Sequence, residues 1–193
     1  TKYKARKLQK DLATIKGHLN FINGGDGRSV YNYSEDLVLK IAKSSTKWSL
    51  PQNRLEMQKS PLLDQRYVAK VIDHSEDGWW LVCQKAFEDN TKRDKDLLKI
   101  FGGTNKTHIM SMYLIHQNPA PSLYAPKLFK IYEKHCLKSK WFKGFANTFI
   151  KAGYKRPDLN EENFMYTEAG ELIVVDYGID YKFNDMVATC SKF

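Results

Sequence analysis

The chain has 193 residues, 42% hydrophobic and 27% charged, which suits a folded domain or two small lobes and excludes a disordered polymer. No apolar run approaches the roughly 20 residues of a membrane span, and Thr1-Lys2-Tyr3-Lys4-Ala5-Arg6 lacks an apolar signal core. Thirty-one Lys and Arg stand against 22 Asp and Glu, a net charge of +9 that favours an acidic partner or a nucleotide, or simply coats a solvated face.

The opening Thr1 in place of Met reads as a processed or trimmed start. Cys83, Cys136 and Cys190 are widely spaced and form no CxxC pair, as expected of a reduced, cytoplasmic protein without structural zinc. Basic residues are dense only in the first ten positions and from Lys127 to Arg156. No base-reading motif accompanies them, so nucleic-acid binding would rest on charge alone.

In chain order, residues 2 to 21 read as a basic amphipathic helix, with Leu8, Leu12, Ile15, Leu19 and Ile22 on one face. A turn cluster follows at Asn23-Gly24-Gly25-Asp26-Gly27. Ser29 to Tyr33 and Leu37 to Ala42 predict strands joined by a tight turn, with the glycine loop at the mouth of their hairpin. Pro51, suited to a first turn, opens a short helix over 51–59. Tyr67 to His74 and Trp79 to Gln84 predict a second hairpin around Ser75-Glu76-Asp77-Gly78. Phe87 to Lys95 is polar and reads as a linker.

The remainder reads as mostly helical. Short helices are expected over 96–101 and 108–117, then one long buried helix from Pro126 to about Ala152, capped by Gly153. Phe164 to Tyr166 and Leu172 to Val175 form a small hairpin across Glu168-Ala169-Gly170.

Chemistry concentrates in Asp158-Leu159-Asn160-Glu161-Glu162-Asn163 and Val174-Val175-Asp176-Tyr177-Gly178. Asp158 and Asn163 are separated by one short loop, and Asp176 follows an apolar strand. Three such oxygen donors suit a divalent cation and a hydroxyl nucleophile beside a triphosphate, the needs of phosphoryl transfer. Upstream, Gly24, Gly25 and Gly27 lie in a strand-turn-strand setting where backbone N–H groups can approach phosphate. Lys40 shares a strand face with Val38 and Ala42, and an inward ammonium needs an anionic partner. Glu56 in the following helix is the natural partner, and Asn53 could join the same cluster.

Each residue alone has an ordinary reading. Glycine turns are common, a strand lysine can snorkel to solvent, a helix glutamate is often a surface residue, and valines fill sheet cores. Asp180 reads as a helix start or surface carboxylate. The constellation in this order is what points to chemistry.

That order and spacing resemble the protein-kinase-like superfamily over nearly the whole chain. Gly25, Gly27, Val30, Lys40, Glu56, Asp158, Asn163 and Asp176-Tyr177-Gly178 carry the resemblance, with Tyr177 where Phe is usual. The Gly25-to-Val30 stretch, the Lys40 strand and the Asn53-to-Glu56 helix are similar, more narrowly, to short atypical kinase-like proteins of phages, prophages and some bacterial effectors. The resemblance implies an α+β, bilobal fold. A small antiparallel-sheet N-lobe would span 1–87 with the N-terminal helix and inserted helix. A truncated, mostly helical C-lobe would span 88–193.

It also implies a minimal ATP- and Mg²⁺-dependent kinase that transfers the γ-phosphate to a hydroxyl, Ser or Thr of a protein, in the cytoplasm or host cytosol. Asp158 would orient or accept the hydroxyl proton, Lys40 and Glu56 would pair behind the phosphates, and Asn163 and Asp176 would ligate Mg²⁺. Val30 and Val38 would cover the adenine, and Gln84 and Ala86 would lie along its edge. Departures are visible. Arg156 and Pro157 stand where His-Arg is usual, Asn160 replaces a lysine, Arg28 replaces the third glycine, and the residues after Gly178 leave no room for an activation loop. These changes keep a nucleotide-binding pseudokinase that docks a partner in contention, and behind it a small-molecule phosphotransferase or a basic nucleic-acid binder.

Overall fold

The computed structural model describes residues 19–24, 27–43, 49–120 and 123–180. The chain divides into two compact units, Thr1–Arg54 with Val71–Lys85, and Leu55–Lys70 with Ala86–Phe193. A five-stranded antiparallel sheet and several helices make a mixed α and β architecture, compatible with the kinase-like fold that the motifs imply. Among the described residues, no helix is long and apolar enough to cross a membrane.

The first unit is the sheet, built from β1 (Phe21–Gly24), β2 (Arg28–Asn32), β3 (Leu37–Ala42), β4 (Val71–His74) and β5 (Trp80–Gln84) in the order β1-β2-β3-β5-β4. Strand β3 lies at its centre and five of its six residues are buried. Leu39 and Ile41 pack with Val82, flanked by Tyr31, Leu37 and Trp80. Period-two alternation sends Val38, Lys40 and Ala42 to the opposite face.

Helix α1 (Ser49–Lys59) begins in this unit. Asn53 on it is fully buried, accepting from Arg28 at 3.1 Å and donating to the Gly78 carbonyl at 2.9 Å. Its amide ties helix to sheet.

The second unit holds α2 (Asn90–Phe101), α3 (Lys106–Gln117), α4 (Pro126–Ile131), α5 (Lys140–Lys151) and the hairpin of β6 (Phe164–Tyr166) and β7 (Leu172–Val174). Its core is aromatic. Phe101 meets Phe142 edge-on at 5.5 Å, and Trp141 stacks on Phe145 at 5.1 Å. Phe145, Phe149 and Tyr154 then form a chain with centroid spacings of 4.9 Å at each step. Edge-to-face and offset contacts of this kind add directional preference to the area buried.

Four local expectations are corrected. Phe21 to Gly24 is a strand, because it ladders with β2 and Phe21 packs edge-on against Tyr31 at 5.6 Å; the expected helix upstream of Leu19 lies outside the described residues. The strand expected from Tyr67 starts only at Val71, since Val68 bridges Val174 and Ala69 N–H bonds the Val174 carbonyl. Leu55–Lys70 belongs to the second unit. The expected linker is mainly helix α2, whose Asp89 cap accepts from Lys92 N–H at 2.9 Å. The long helix from Pro126 is interrupted by a π-helical stretch, Tyr132–Cys136, and by Ser139. Ser139 has extended backbone and its hydroxyl accepts from Phe142 N–H, so it starts α5 anew. Gly153 does follow that helix at φ +80°, a conformation that any side chain would strain.

Cys83 and Cys136 are buried. Burial pushes the Cys136 thiol up to about 12, so it is a packing group rather than a nucleophile.

Two measurements follow. Phe145→Ala removes a fully buried ring and is expected to lower the unfolding free energy by about 3–5 kcal/mol in chemical denaturation; a loss below about 1 kcal/mol would contradict the packing described. His116 is held neutral, chiefly by burial and secondarily by Lys143, with Nδ1 2.8 Å from the Tyr132 hydroxyl and Nε2 3.3 Å from Asn147 Oδ1. A depressed histidine contributes stability fully present above its ordinary pKa of about 6.5 and lost as pH falls through the folded value. The thermal midpoint should fall on acidification below that point, and fall less in His116→Gln.

Candidate active site

In the first unit, Gly24 pairs with Ser29, and Gly27 accepts from Lys43 N–H, so the glycine turn joins β1 to β2. Gly25 lies outside the described residues. Val30 stands directly opposite Lys40, and Val38 opposite Cys83. Lys40 is only 6% exposed, with Val38 and Ala42 buried on the same face. Gln84 closes β5 opposite Leu37. The first unit thus gathers a glycine turn, two valines and a buried ammonium on neighbouring strands. Arg28, at the place of a third glycine, is buried and bonded to Asn53.

In the second unit, Ala86 precedes the reciprocal backbone bonds of Phe87 with Tyr166. Glu56 is fully buried on α1, next to Leu55, which packs on the aromatic core. Burial, with the Glu56 charge second, raises the Tyr154 phenol well above its ordinary range. Tyr154 therefore stays a hydrogen-bond donor, and its hydroxyl donates to the Tyr177 carbonyl at 2.7 Å. Tyr177 in turn donates to the Ala69 carbonyl at 2.9 Å. Phenylalanine in its place would have no hydroxyl for that carbonyl.

The loop after α5 is where Asp158, Asn163 and Asp176 converge. Asn163 Nδ2 donates to the Asp158 carbonyl at 3.1 Å and to the Asp176 carbonyl at 3.2 Å. Val175 N–H returns a bond to the Asn163 carbonyl at 2.9 Å. One amide therefore binds the loop to the end of β7, and its oxygen is left for a partner from outside the loop. The Asp158 side chain is 15% exposed and meets Lys106 Nζ at 2.5 Å as an ion pair. Asp158 Oδ1 is shielded from solvent and makes no hydrogen bond in the structure.

Asn163 and Asp176 offer an amide oxygen and a carboxylate. Such hard donors suit Mg²⁺, which keeps several waters and takes phosphate oxygens alongside one or two protein ligands. Among the described residues, no three His, Cys, Asp or Glu gather into a self-sufficient metal site.

Two supporting residues escaped the sequence reading. Lys106 is remote in sequence from Asp158 and lies in no motif. Asp180 was read as a helix start or surface carboxylate, yet it accepts from Arg156 N–H at 2.5 Å and from Lys155 N–H at 3.2 Å, and bridges Pro157 in antiparallel fashion. Asp158 N–H bonds the Ile179 carbonyl at 3.1 Å, so both flanks of the catalytic-looking aspartate are stapled.

No protein-family model matches the chain, and no curated protein matches its sequence. Among solved structures, the PknI kinase domain of Mycobacterium tuberculosis aligns at a TM-score of 0.44 and 13% identity, over 84% of this chain and 59% of that one. The chain therefore spans less than two thirds of that domain. A likeness this slight carries no argument, and the chemistry rests on the residues themselves.

Asn163→Asp keeps an oxygen donor and removes the bridging N–H. It is expected to speed amide hydrogen exchange at Val175 and Asp158 and to cost about 1–3 kcal/mol of stability. Exchange at the wild-type rate would show that the amide does not hold the two segments together.

Proposed function

We propose that the protein is an ATP- and Mg²⁺-dependent phosphotransferase acting on a hydroxyl, with Ser or Thr of a protein as acceptor. The observation that carries this reading is the double hydrogen bond of Asn163, which fixes Asp158 and Asp176 on one short framework. Asp158, with a solvent-shielded acceptor oxygen, orients the attacking hydroxyl. Asn163 and Asp176 hold the cation, which when bound neutralises the charge on the transferring phosphate. In the first unit, Lys40 is the phosphate ligand, with Gly24, Gly25 and Gly27 as the phosphate-facing turn and Val30 and Val38 against the base. Glu56 is the partner of that lysine, and Gln84 and Ala86 serve the edge of the base. In this reading the two units are the lobes of a kinase-like protein working in the cytoplasm.

Purified protein with γ-labelled ATP, Mg²⁺ and a degenerate Ser/Thr peptide library tests the proposal. Label transfer that falls by about a hundredfold or more in Asp158→Ala, and that Asp176→Ala abolishes, is expected. Thermal stabilisation by Mg·ATP without any transfer would instead favour a nucleotide-binding docking protein. The absence of both stabilisation and transfer would sink the nucleotide reading.

A further inference from the structure

We infer that Lys106 is the positioning residue of Asp158, supplying from a helix terminus the cation that the loop itself lacks. The inference rests on the phosphotransferase reading above. The loop has Asn160 where the resembled family has a lysine, and an amide cannot offer an ammonium. Lys106 Nζ lies 2.5 Å from Asp158 Oδ1.

The backbone that delivers Lys106 is anchored. Lys106 is the first residue of α3, whose Asn105 cap accepts from His108 N–H at 2.9 Å. Ile109, Met110 and the run from Met112 to Ile115 are buried. Further along α3, Tyr113 and Gln117 both donate to the Tyr154 carbonyl at 3.0 Å. Tyr154 lies in the segment that leads into the Asp158 loop. Helix and loop are thus tied at a second point, which holds the α3 backbone beside the segment leading to Asp158.

Stability alone does not account for the pair. A lysine in the first turn of a helix opposes the positive end of the helix dipole. The Lys106 side chain is 44% exposed, and ion pairs so open to water contribute little to folding. The ammonium orients the carboxylate by charge. Transfer tolerates little misplacement of a reacting group, so loss of this orientation falls on kcat rather than on nucleotide binding.

The test compares Lys106→Met, Lys106→Arg and wild type in the peptide-library assay, with fluorescent-nucleotide binding and thermal unfolding alongside. Lys106→Met is expected to lower kcat by roughly ten- to a hundredfold. KM for ATP, nucleotide affinity and thermal midpoint should stay near wild type, and Lys106→Arg should recover most of the loss. In the nucleotide-free protein, the Lys106 side-chain ammonium resonance should shift in Asp158→Asn. Wild-type kcat in Lys106→Met overturns the inference while leaving the phosphotransferase reading intact, and so does an unmoved ammonium resonance. Absence of transfer by the wild type itself overturns the reading first and the inference with it.

Discussion

A single side-chain amide holds the candidate site together. The Asn163 side chain donates one N–H to the carbonyl of Asp158 and another to that of Asp176, while its main-chain carbonyl receives Val175 N–H. The two aspartates come from a loop and from the end of a strand, and nothing in their local conformation would bring them together. Asparagine is suited to this task because its side-chain amide carries two donors on one rigid plane. Leucine would fill the space and donate to neither carbonyl, and an ionised aspartate could likewise donate to neither.

The backbone around that amide is itself tied by hydrogen bonds. Three buried tyrosines provide them. Tyr113 donates to the Tyr154 carbonyl, Tyr154 to the Tyr177 carbonyl and Tyr177 to the Ala69 carbonyl. Burial first, with Asp180 adding to it, raises Tyr113 well above the ordinary phenol range, and burial does the same for Tyr154. The chain of donors therefore persists across the pH range in which proteins work. Rings of the same residues join the aromatic core through Phe149, which packs 4.9 Å from Tyr154 and 6.4 Å from Tyr177. Gly144 is part of the same economy of space. A Cβ there would fall 1.9 Å from the Tyr67 hydroxyl, and the Tyr67 carbonyl is the acceptor for Val174 N–H just before the site.

Much of the local structure was legible. Strand β3 was bounded correctly from Leu37 to Ala42 by its apolar run, and the β6–β7 hairpin by its Gly170 turn. The helix ahead of Gly153 was legible as apolar, but its continuity was not. A hydrophobic pattern persists through Tyr132–Cys136 and Lys140–Lys151 alike, while Ser139 resets the hydrogen bonding between them. Phe21 and Ile22 extended a helical pattern in sequence, yet pairing with β2 overrode that propensity. Polar residues from Asn90 to Lys95 looked like a linker because charge on an exposed helix face leaves no apolar period to detect.

Residue type and order alone determined which groups are chemically able: the carboxylates of Asp158 and Asp176, the amide of Asn163, and a lysine at Lys40 inside an apolar strand. These follow from the sequence because short spacing and strand alternation constrain neighbours on the same segment. Only the tertiary structure decided that Asn163 spans both aspartates, that Lys106 arrives beside Asp158 from a distant helix, and that Asp180 staples the approach to the loop. Such contacts join residues remote along the chain, and their geometry comes from how helices and hairpin pack on the aromatic core, which no local pattern encodes.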